Sequence, residues 1–180
     1  IREIRQEITS IINYHDKPLV FKNLNAALRM RVLSKIFPKA KFIWIKRDPL
    51  YVSQSILKAR EKVNVDTCKW WSLMPENHDS LKKLTAVEQI VGQVYFFEQQ
   101  IEKDKNMFSA TNVLTLSYNE LNEINLVLTR VHEFLGGDIK VRENSMRAPI
   151  LIEEKNSYAG EVLSQLEDKI SALDWNGYTS

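Results

Sequence analysis

The chain has 180 residues, of which 44% are hydrophobic, so we expect one domain over residues 1–180 and exclude disorder of the whole chain. Its 25 Lys and Arg nearly balance its 23 Asp and Glu, which argues against a dedicated nucleic-acid-binding protein. No apolar run approaches the roughly 20 residues that a membrane-spanning helix needs. The single cysteine, Cys68, cannot form an internal disulfide, and we expect a reducing, cytoplasmic location.

The first third of the chain predicts a helix, a strand and a second helix. Apolar residues at helical spacing predict an amphipathic helix from Ile1 to about Tyr14. Leu19–Phe21 is a short β-prone run, which predicts a buried strand leading into a helix over Ala26–Phe37. Lys41–Lys46 is the clearest strand, and its apolar centre is typical of a strand buried on both faces of a parallel sheet.

Asp48 and Pro49 follow that strand and are typical of a helix N-cap and first helical residue, so a helix is predicted from there to about Lys62. Residues 63–80 are irregular, and a non-periodic stretch of that length is more often functional than idle. A long helix is predicted over Thr85–Lys103, followed by a strand over Val113–Ser117. A helix from Tyr118 to about Leu135 is ended by a glycine pair, and a last helix is predicted over Tyr158–Leu173.

Alternating strands and helices predict an α/β fold, with a parallel sheet flanked by helices. In such sheets ligands bind beyond the carboxyl ends of the strands, so Lys22, Arg47 and Tyr118 are candidate binding residues. The guanidinium of Arg47 offers a planar fork of donors that matches a phosphate. Ser55 lies about two turns into the next helix, where its hydroxyl could face the same anion. The alternative is that Arg47 pairs with a local carboxylate and Ser55 is an ordinary surface serine.

The stretch from Phe37 to Ser55, FPKAKFIWIKRDPLYVSQS, resembles the 3′-phosphate-binding segment of sulfotransferases that use 3′-phosphoadenosine-5′-phosphosulfate (PAPS). The resemblance implies that Arg47 and Ser55 bind the 3′-phosphate of the nucleotide. It also implies a P-loop NTPase-like sulfotransferase fold, PAPS as the sulfuryl donor, and 3′-phosphoadenosine-5′-phosphate (PAP) as the product. No metal is expected, and the three dispersed histidines show no ligand spacing.

Further stretches are similar to the same family. Leu19–Asn23 resembles the strand whose terminal lysine faces the transferred sulfuryl group, which implies that Lys22 contacts its oxygens. Leu114–Leu121 resembles the strand end whose tyrosine lies near the adenine, which implies that role for Tyr118. Trp70–Pro75 looks like bacterial members of the superfamily. The resemblance covers about residues 18–136.

The sequence also departs from the family pattern. A strand, a Gly- and Ser/Thr-bearing turn and a helix for the 5′-phosphosulfate cannot be found, so we expect that strand and loop to lie upstream of Ile1. The late Arg-Lys-Gly element of the soluble sulfotransferases is absent, and Arg142 and Arg147 are candidates to replace it. Leu24 stands where those enzymes carry their catalytic histidine.

Sulfuryl transfer needs a base for the attacking hydroxyl or amine. His78 and Glu76 are the candidate catalytic bases; the alternative is that this stretch is a solvated loop and helix cap. Trp70 and Trp71 either wall an acceptor pocket or fill the core.

We therefore predict a PAPS-dependent sulfotransferase acting on a small-molecule or carbohydrate acceptor. A non-catalytic, sulfotransferase-like binding module is the alternative. A P-loop kinase relative would need a Walker loop and a metal-binding acidic residue, neither of which we can assign.

Overall fold

Two parallel strands and seven α-helices form the part of the chain that the computed structural model describes, residues 2–63, 66–108, 111–137 and 151–175. The helices are α1 to α7 and the strands β1 and β2, in chain order. Their bounds are α1 Arg2–His15, α2 Met30–Ile36, β1 Phe42–Lys46, α3 Pro49–Val63, α4 His78–Leu81, α5 Ala86–Lys105, β2 Val113–Ser117, α6 Ile124–Leu135 and α7 Gly160–Ser171. None of these helices is long and apolar enough to cross a membrane.

The predicted parallel sheet is confirmed by the pairing of β1 with β2. Phe42 lies opposite Val113 at one end, and Lys46 lies opposite Ser117 at the other. Both strands therefore end at the same edge, and the residues that follow them, Arg47 and Tyr118, emerge side by side.

The expectation that β1 is buried on both faces is wrong for the described residues. Ile43 and Ile45 are 43% and 46% exposed, and exposure alternates along the strand. The opposite face is covered: the ring of Phe42 stacks on Phe108 at 5.8 Å, and Lys105 of α5 lies over the ring of Trp44. Because successive side chains point to opposite faces, packing of α5 on one face leaves Ile43 and Ile45 on the other.

The predicted buried strand at Leu19–Phe21 is also wrong. These residues are outside the sheet, and Val20 and Phe21 are 88% and 66% exposed. A strand needs a neighbour for its backbone groups, and among the described residues β1 pairs only with β2. The helix predicted over Ala26–Phe37 is divided: residues Leu24–Leu28 form a 3₁₀ helix, and α2 follows.

The predicted helix after β1 is confirmed, and its start is explained by Asp48. The Asp48 Oδ1 accepts a hydrogen bond from the backbone N–H of Leu50 at 2.8 Å, as an N-cap does. The helix predicted from Tyr118 begins instead as a 3₁₀ helix, Tyr118–Asn122, before α6. It ends as predicted at Gly136, whose φ of 111° is in the left-handed region that favours glycine.

The core lies among α3, α5 and α7. Its fully buried apolar residues include Ile90 and Val91 of α5, Leu57 of α3 and Leu166 of α7. By contrast, α1 is amphipathic as predicted but buries none of its residues. Packing against α5 thus fixes α3, and α3 begins at the edge where both strands end.

Candidate functional site

Arg47 and Tyr118 meet where the two strands end. The guanidinium carbon of Arg47 lies 4.5 Å from the centre of the Tyr118 ring and 5.7 Å from that of Tyr51 in the first turn of α3. The structure therefore brings together two of the predicted binding residues. Stacking on an aromatic ring fixes the plane of a guanidinium while leaving its edges able to donate hydrogen bonds.

A carboxylate holds one edge of this guanidinium. Arg47 Nε donates to Glu154 Oε1 at 3.0 Å, and Asn119 Nδ2 donates to Glu154 Oε2 at 3.1 Å. Both carboxylate oxygens are thus used, and the Glu154 side chain is only 12% exposed. Arg47 thus pairs with a carboxylate, although this carboxylate is 107 positions further along the chain rather than local.

The terminal nitrogens of Arg47 are different. Neither Nη1 nor Nη2 has a hydrogen-bond partner within the described part of the chain, and the side chain is 28% exposed. Nη1 and Nη2 can together donate four hydrogen bonds. The ion pair with Glu154 therefore leaves the hydrogen-bonding capacity of Nη1 and Nη2 unused within the described residues.

Glu154 is carried by an extended segment, residues 151–158, which we call the strap. Before Glu154, Asn122 exchanges two hydrogen bonds with the backbone of Ile152, at 3.0 and 2.6 Å. After it, Gln54 of α3 donates to Asn156 at 2.9 Å and accepts from the Ser157 N–H at 2.5 Å. The strap is thus fixed to α3, which follows Arg47, and to the 3₁₀ helix that begins with Tyr118.

The strap ends on α3 as well. The hydroxyl of Tyr158 donates to Glu61 Oε2 at 2.6 Å. Partial burial, together with this hydrogen bond to a carboxylate, raises the pKa of Tyr158. The phenol therefore stays protonated and can keep donating to Glu61 throughout the physiological pH range.

Ser55 lies one turn beyond Tyr51 on α3, and residues four apart share a helix face. Its side chain is exposed, and it has no hydrogen-bond partner among the described residues. Nothing in the structure joins Ser55 directly to Arg47. Both are nevertheless open, and Tyr51, which faces Arg47, lies on the helix face of Ser55.

Lys46, the residue before Arg47, contacts helix α5 rather than the strap. Its Nζ is 3.3 Å from Glu98 Oε2 of α5, and burial raises the pKa of Glu98 despite that neighbouring cation. Because side chains alternate along a strand, Lys46 contacts the helix while Arg47 reaches the strap. Of these two consecutive cations, Lys46 pairs through its one charged nitrogen, whereas the terminal nitrogens of Arg47 have no hydrogen-bond partner among the described residues.

Lys22 is the third binding residue that the sequence predicts at a strand end. It is exposed, in the segment before the 3₁₀ helix that Asn23 caps by accepting from the Asn25 N–H at 2.9 Å. No contact joins Lys22 to the Arg47 corner in the described residues. Its predicted role at the sulfuryl group stays a prediction.

His78 lies at the start of α4, with its ring edge-on to Trp70 at 4.5 Å between centroids. Its Nδ1 is 3.7 Å from Asp79 Oδ1. The role of His78 as a base stays a prediction. Arg142 and Arg147, the candidates to replace the Arg-Lys-Gly element, lie outside the described residues.

A second arginine, Arg60 of α3, is fully buried and was not predicted from the sequence. Its Nη1 donates to Gln89 Oε1 at 2.9 Å and to the Thr67 carbonyl at 3.2 Å, and its Nη2 donates to Gln93 Oε1 at 3.3 Å. Its guanidinium also lies 5.1 Å from the centre of the Trp70 ring. Burial lowers the pKa of Arg60.

The two glutamines then hold the irregular loop. Gln93 Nε2 donates to the carbonyls of Trp71 and Leu73, and Gln89 Nε2 donates to that of Leu84. Trp70 is half-buried against Arg60, and Trp71 is 36% exposed. The loop that we expected to be functional is anchored by buried polar side chains of α3 and α5.

A cleft of about 280 Å³ lies between this loop, the 3₁₀ helix with α2, and α5. Apolar Leu28, Val32, Met74 and Phe96 line it together with polar residues, including Glu76, but His78 is not among them. Arg31 at its wall is neutralised by the buried Asp104, at 2.6 Å. The cleft thus combines apolar side chains with the carboxylate of Glu76, for which the described residues provide no hydrogen bond or ion pair.

The residues that sequence reasoning missed are the partners of the two arginines. Glu154 and Asn119 hold Arg47, and Gln89 and Gln93 hold Arg60. Glu154 lies in a stretch without periodicity, and nothing local marks it as a partner of a residue more than a hundred positions earlier. No group of three or more His, Cys, Asp or Glu that could hold a metal ion occurs in the described ranges.

Comparison with known proteins gives one finding. A family model described as "Sulfotransferase family" matches residues 2–140, which include β1, β2, Arg47, Ser55 and Tyr118. No curated protein and no solved structure matches the chain.

Proposed function

The chain belongs to the sulfotransferase family, and from this we propose that it takes part in sulfuryl transfer from PAPS to a hydroxyl or amine acceptor. Arg47 and Ser55 bind the 3′-phosphate of the nucleotide in this proposal, and Tyr118 lies beside the adenosine. The observation that supports it most is the open end of the Arg47 guanidinium, held in place by Tyr118 and Glu154.

A 3′-phosphate suits this corner for electrostatic reasons. Two parallel N–H groups of an arginine match two oxygens of a phosphate, and charge-assisted hydrogen bonds of this type are about twice as strong as neutral ones. The start of α3 adds partial positive charge at the same edge. The exposed hydroxyl of Ser55 can donate a further hydrogen bond to the anion.

In the reaction, the acceptor oxygen or nitrogen attacks the sulfur atom, its proton passes to a base, and the bond from sulfur to the phosphate oxygen of PAP breaks. Arg47 would act on the donor by binding and orientation, since the 3′-phosphate is not a reacting group. Orientation of a bound substrate contributes to rate because the reacting atoms are then already aligned.

For the acceptor we propose the cleft beside the irregular loop. Its volume of about 280 Å³ and its mixed apolar and polar lining suit a small molecule or one end of a carbohydrate. Glu76 lines this cleft, so it is better placed than His78 to remove a proton from an acceptor bound there. The comparison of Glu76→Gln with His78→Gln in a transfer assay would decide between the two.

The nucleotide proposal is tested by calorimetric titration with PAP and with ADP, which lacks the 3′-phosphate. Arg47→Ala should weaken PAP binding by about 1.5–3 kcal/mol, the value of a hydrogen bond to a charged group, and leave ADP binding nearly unchanged. Arg5→Ala, an exposed arginine of α1, is the matched control. An unchanged PAP affinity in Arg47→Ala would overturn the assignment.

The second candidate function is a non-catalytic module that binds the nucleotide. It is favoured by one observation: Lys22, the residue that resemblance places at the sulfuryl group, is exposed and outside the sheet. Both candidates predict PAP binding, but only the enzyme transfers sulfuryl groups from PAPS. Transfer assays with a panel of phenols, alcohols, amines and sugars separate them.

A further inference from the structure

Glu154 contacts the one cation of the proposed nucleotide site, so its negative charge needs an explanation. Two roles are physically reasonable. A carboxylate at an arginine can compete with the ligand anion, or it can hold the arginine in the orientation that the ligand needs. The geometry distinguishes these roles, because they use different edges of the guanidinium.

A competitor would take the end of the guanidinium, where two N–H groups bind two carboxylate oxygens in parallel. Glu154 does not. Its Oε1 accepts from Nε alone, and its Oε2 is turned to Asn119 at 3.1 Å. Nη1 and Nη2 have no hydrogen-bond partner in the ranges that the structure describes, so Glu154 does not use the N–H groups that a phosphate would bind.

Glu154 is also held too firmly for a group that must leave. Hydrogen bonds from Asn122 fix the strap two residues before it, and hydrogen bonds from Gln54 fix the strap two and three residues after it. The carboxylate itself is 12% exposed. Tyr118 covers one face of the guanidinium at 4.5 Å, so ring and carboxylate together fix both its plane and its rotation.

We propose that Glu154 is a positioning residue that orients Arg47 for the 3′-phosphate, and that the strap contributes to nucleotide specificity in this way. The inference rests on the proposed function, because it assumes that Arg47 binds that phosphate. An arginine that is already ordered loses less side-chain entropy when the ligand binds. Removal of Glu154 should therefore weaken the preference for PAP over ADP rather than strengthen it.

The experiment compares the PAP and ADP affinities of Glu154→Ala and Glu154→Gln with those of the unmodified protein. Glu154→Ala should lose about tenfold in the PAP-to-ADP affinity ratio, within the range for a charge-assisted hydrogen bond. Glu154→Gln keeps an oxygen for Arg47 Nε, and Asn119 can rotate its amide to accept from the new N–H, so it should retain most of the ratio. Glu153→Ala, next along the strap and paired with exposed Lys155, is the control and should change nothing.

A second variant guards against misfolding of Glu154→Ala. Asn119→Ala removes the hydrogen bond to Oε2 while leaving Glu154 in place, and it should lower the ratio in the same direction by a smaller factor. Melting temperatures of all variants identify any that fail to fold.

Each result has one meaning. A rise in the PAP-to-ADP ratio in both Glu154 variants would show a competitor and overturn the proposal, as would an unchanged ratio in Glu154→Ala and Asn119→Ala. A purely structural role would lower both affinities together and leave the ratio constant, which also overturns it. If the unmodified protein does not prefer PAP, the proposed function fails rather than the role of Glu154 within it.

Discussion

Arg47 lies two residues before helix α3 and Arg60 lies in its last turn, and both guanidinium groups lie over an aromatic ring, yet their surroundings differ. Arg47 lies on Tyr118, has a carboxylate at Nε and leaves both terminal nitrogens open. Arg60 lies on Trp70, is fully buried, and donates from both terminal nitrogens to Gln89, Gln93 and the backbone of Thr67. Among the described residues, neither terminal nitrogen of Arg47 has a hydrogen-bond partner, whereas both terminal nitrogens of Arg60 donate to the protein and its buried Nε has no partner.

The difference separates binding from architecture. An arginine whose terminal nitrogens are used by the protein stabilises the elements that it joins, here α3, α5 and the loop between them. An arginine with an ordered guanidinium and a free end is suited to an external anion. Neither charge nor aromatic contact distinguishes the two arginines, so the state of the terminal nitrogens is the informative feature.

The comparison predicts the largest loss of stability at Arg60. Arg60→Ala leaves a cavity and removes the partners of two buried amide oxygens, and should lower the free energy of unfolding by about 3–5 kcal/mol. Urea denaturation measures the change, with Lys58→Ala, an exposed position of α3, as the control. A loss no larger than that of the control would show that Arg60 is not structural.

The second largest loss of stability is expected at Gln93. It accepts from Arg60 and donates to the carbonyls of Trp71 and Leu73, so Gln93→Leu leaves a buried cation with one partner fewer. We expect a loss of about 1–3 kcal/mol in the same denaturation experiment. Lys103→Leu, exposed on α5, controls for the gain in apolar surface. A stability equal to that of the unmodified protein would contradict the proposed anchoring of the loop.

Arg47→Ala should give the opposite pattern to Arg60→Ala. It removes a partly exposed ion pair, and such pairs contribute about 0–1 kcal/mol to stability, while PAP affinity falls as described above. Thermal melting without ligand measures the stability, and melting with PAP should reveal the lost binding as a missing upward shift. A large destabilisation without ligand would place Arg47 with Arg60 as a structural residue.

The smallest expected effect is a pH-dependent loss of stability at Glu88, which contrasts with the pH-independent loss expected at Arg60. Glu88 of α5 pairs with Lys169 of α7 at 2.7 Å, and its hydrogen bonds to Lys169 and Thr85 lower its pKa from 4.5 to about 2. A lowered carboxylate pKa stabilises the fold above the unfolded value, and the contribution is lost as the pH falls from about 4.5 towards 2.

Glu88→Gln should therefore melt lower than the unmodified protein near pH 7, by a difference that disappears near pH 2. The deficit of Arg60→Ala should stay nearly constant over this range wherever the protein folds, because the described partners of Arg60 are amides and a carbonyl. A Glu88→Gln difference that persists to pH 2 would contradict the lowered pKa.

Features that depend on residues close together in the sequence could be predicted, whereas contacts between distant residues could not. The strand Val113–Ser117, the cap at Asp48 and the stop at Gly136 depend on neighbouring residues and were predicted from them. The meeting of Arg47 with Tyr118 also followed, because parallel strands end at one edge. The predicted strand at Leu19–Phe21 is wrong because β-prone residues form a strand only beside a partner strand.

The partners of the two arginines could not be predicted in the same way. The contact of Arg47 with Glu154 joins residues 107 positions apart, and the contact of Arg60 with Gln93 joins residues 33 apart. Such pairs are set by how the helices and the strap pack rather than by a local pattern. The sequence therefore leaves both interpretations of Arg47 open, and the structure shows a carboxylate at Nε with no described partner at Nη1 or Nη2.

The most direct test is the crystal structure of the protein bound to PAP. We predict oxygens of the 3′-phosphate within hydrogen-bonding distance of Arg47 Nη1 and Nη2, with Nε still donating to Glu154. A 3′-phosphate bound away from Arg47 would contradict the proposed site. A phosphate bound in place of a displaced Glu154 would contradict the positioning role of that residue.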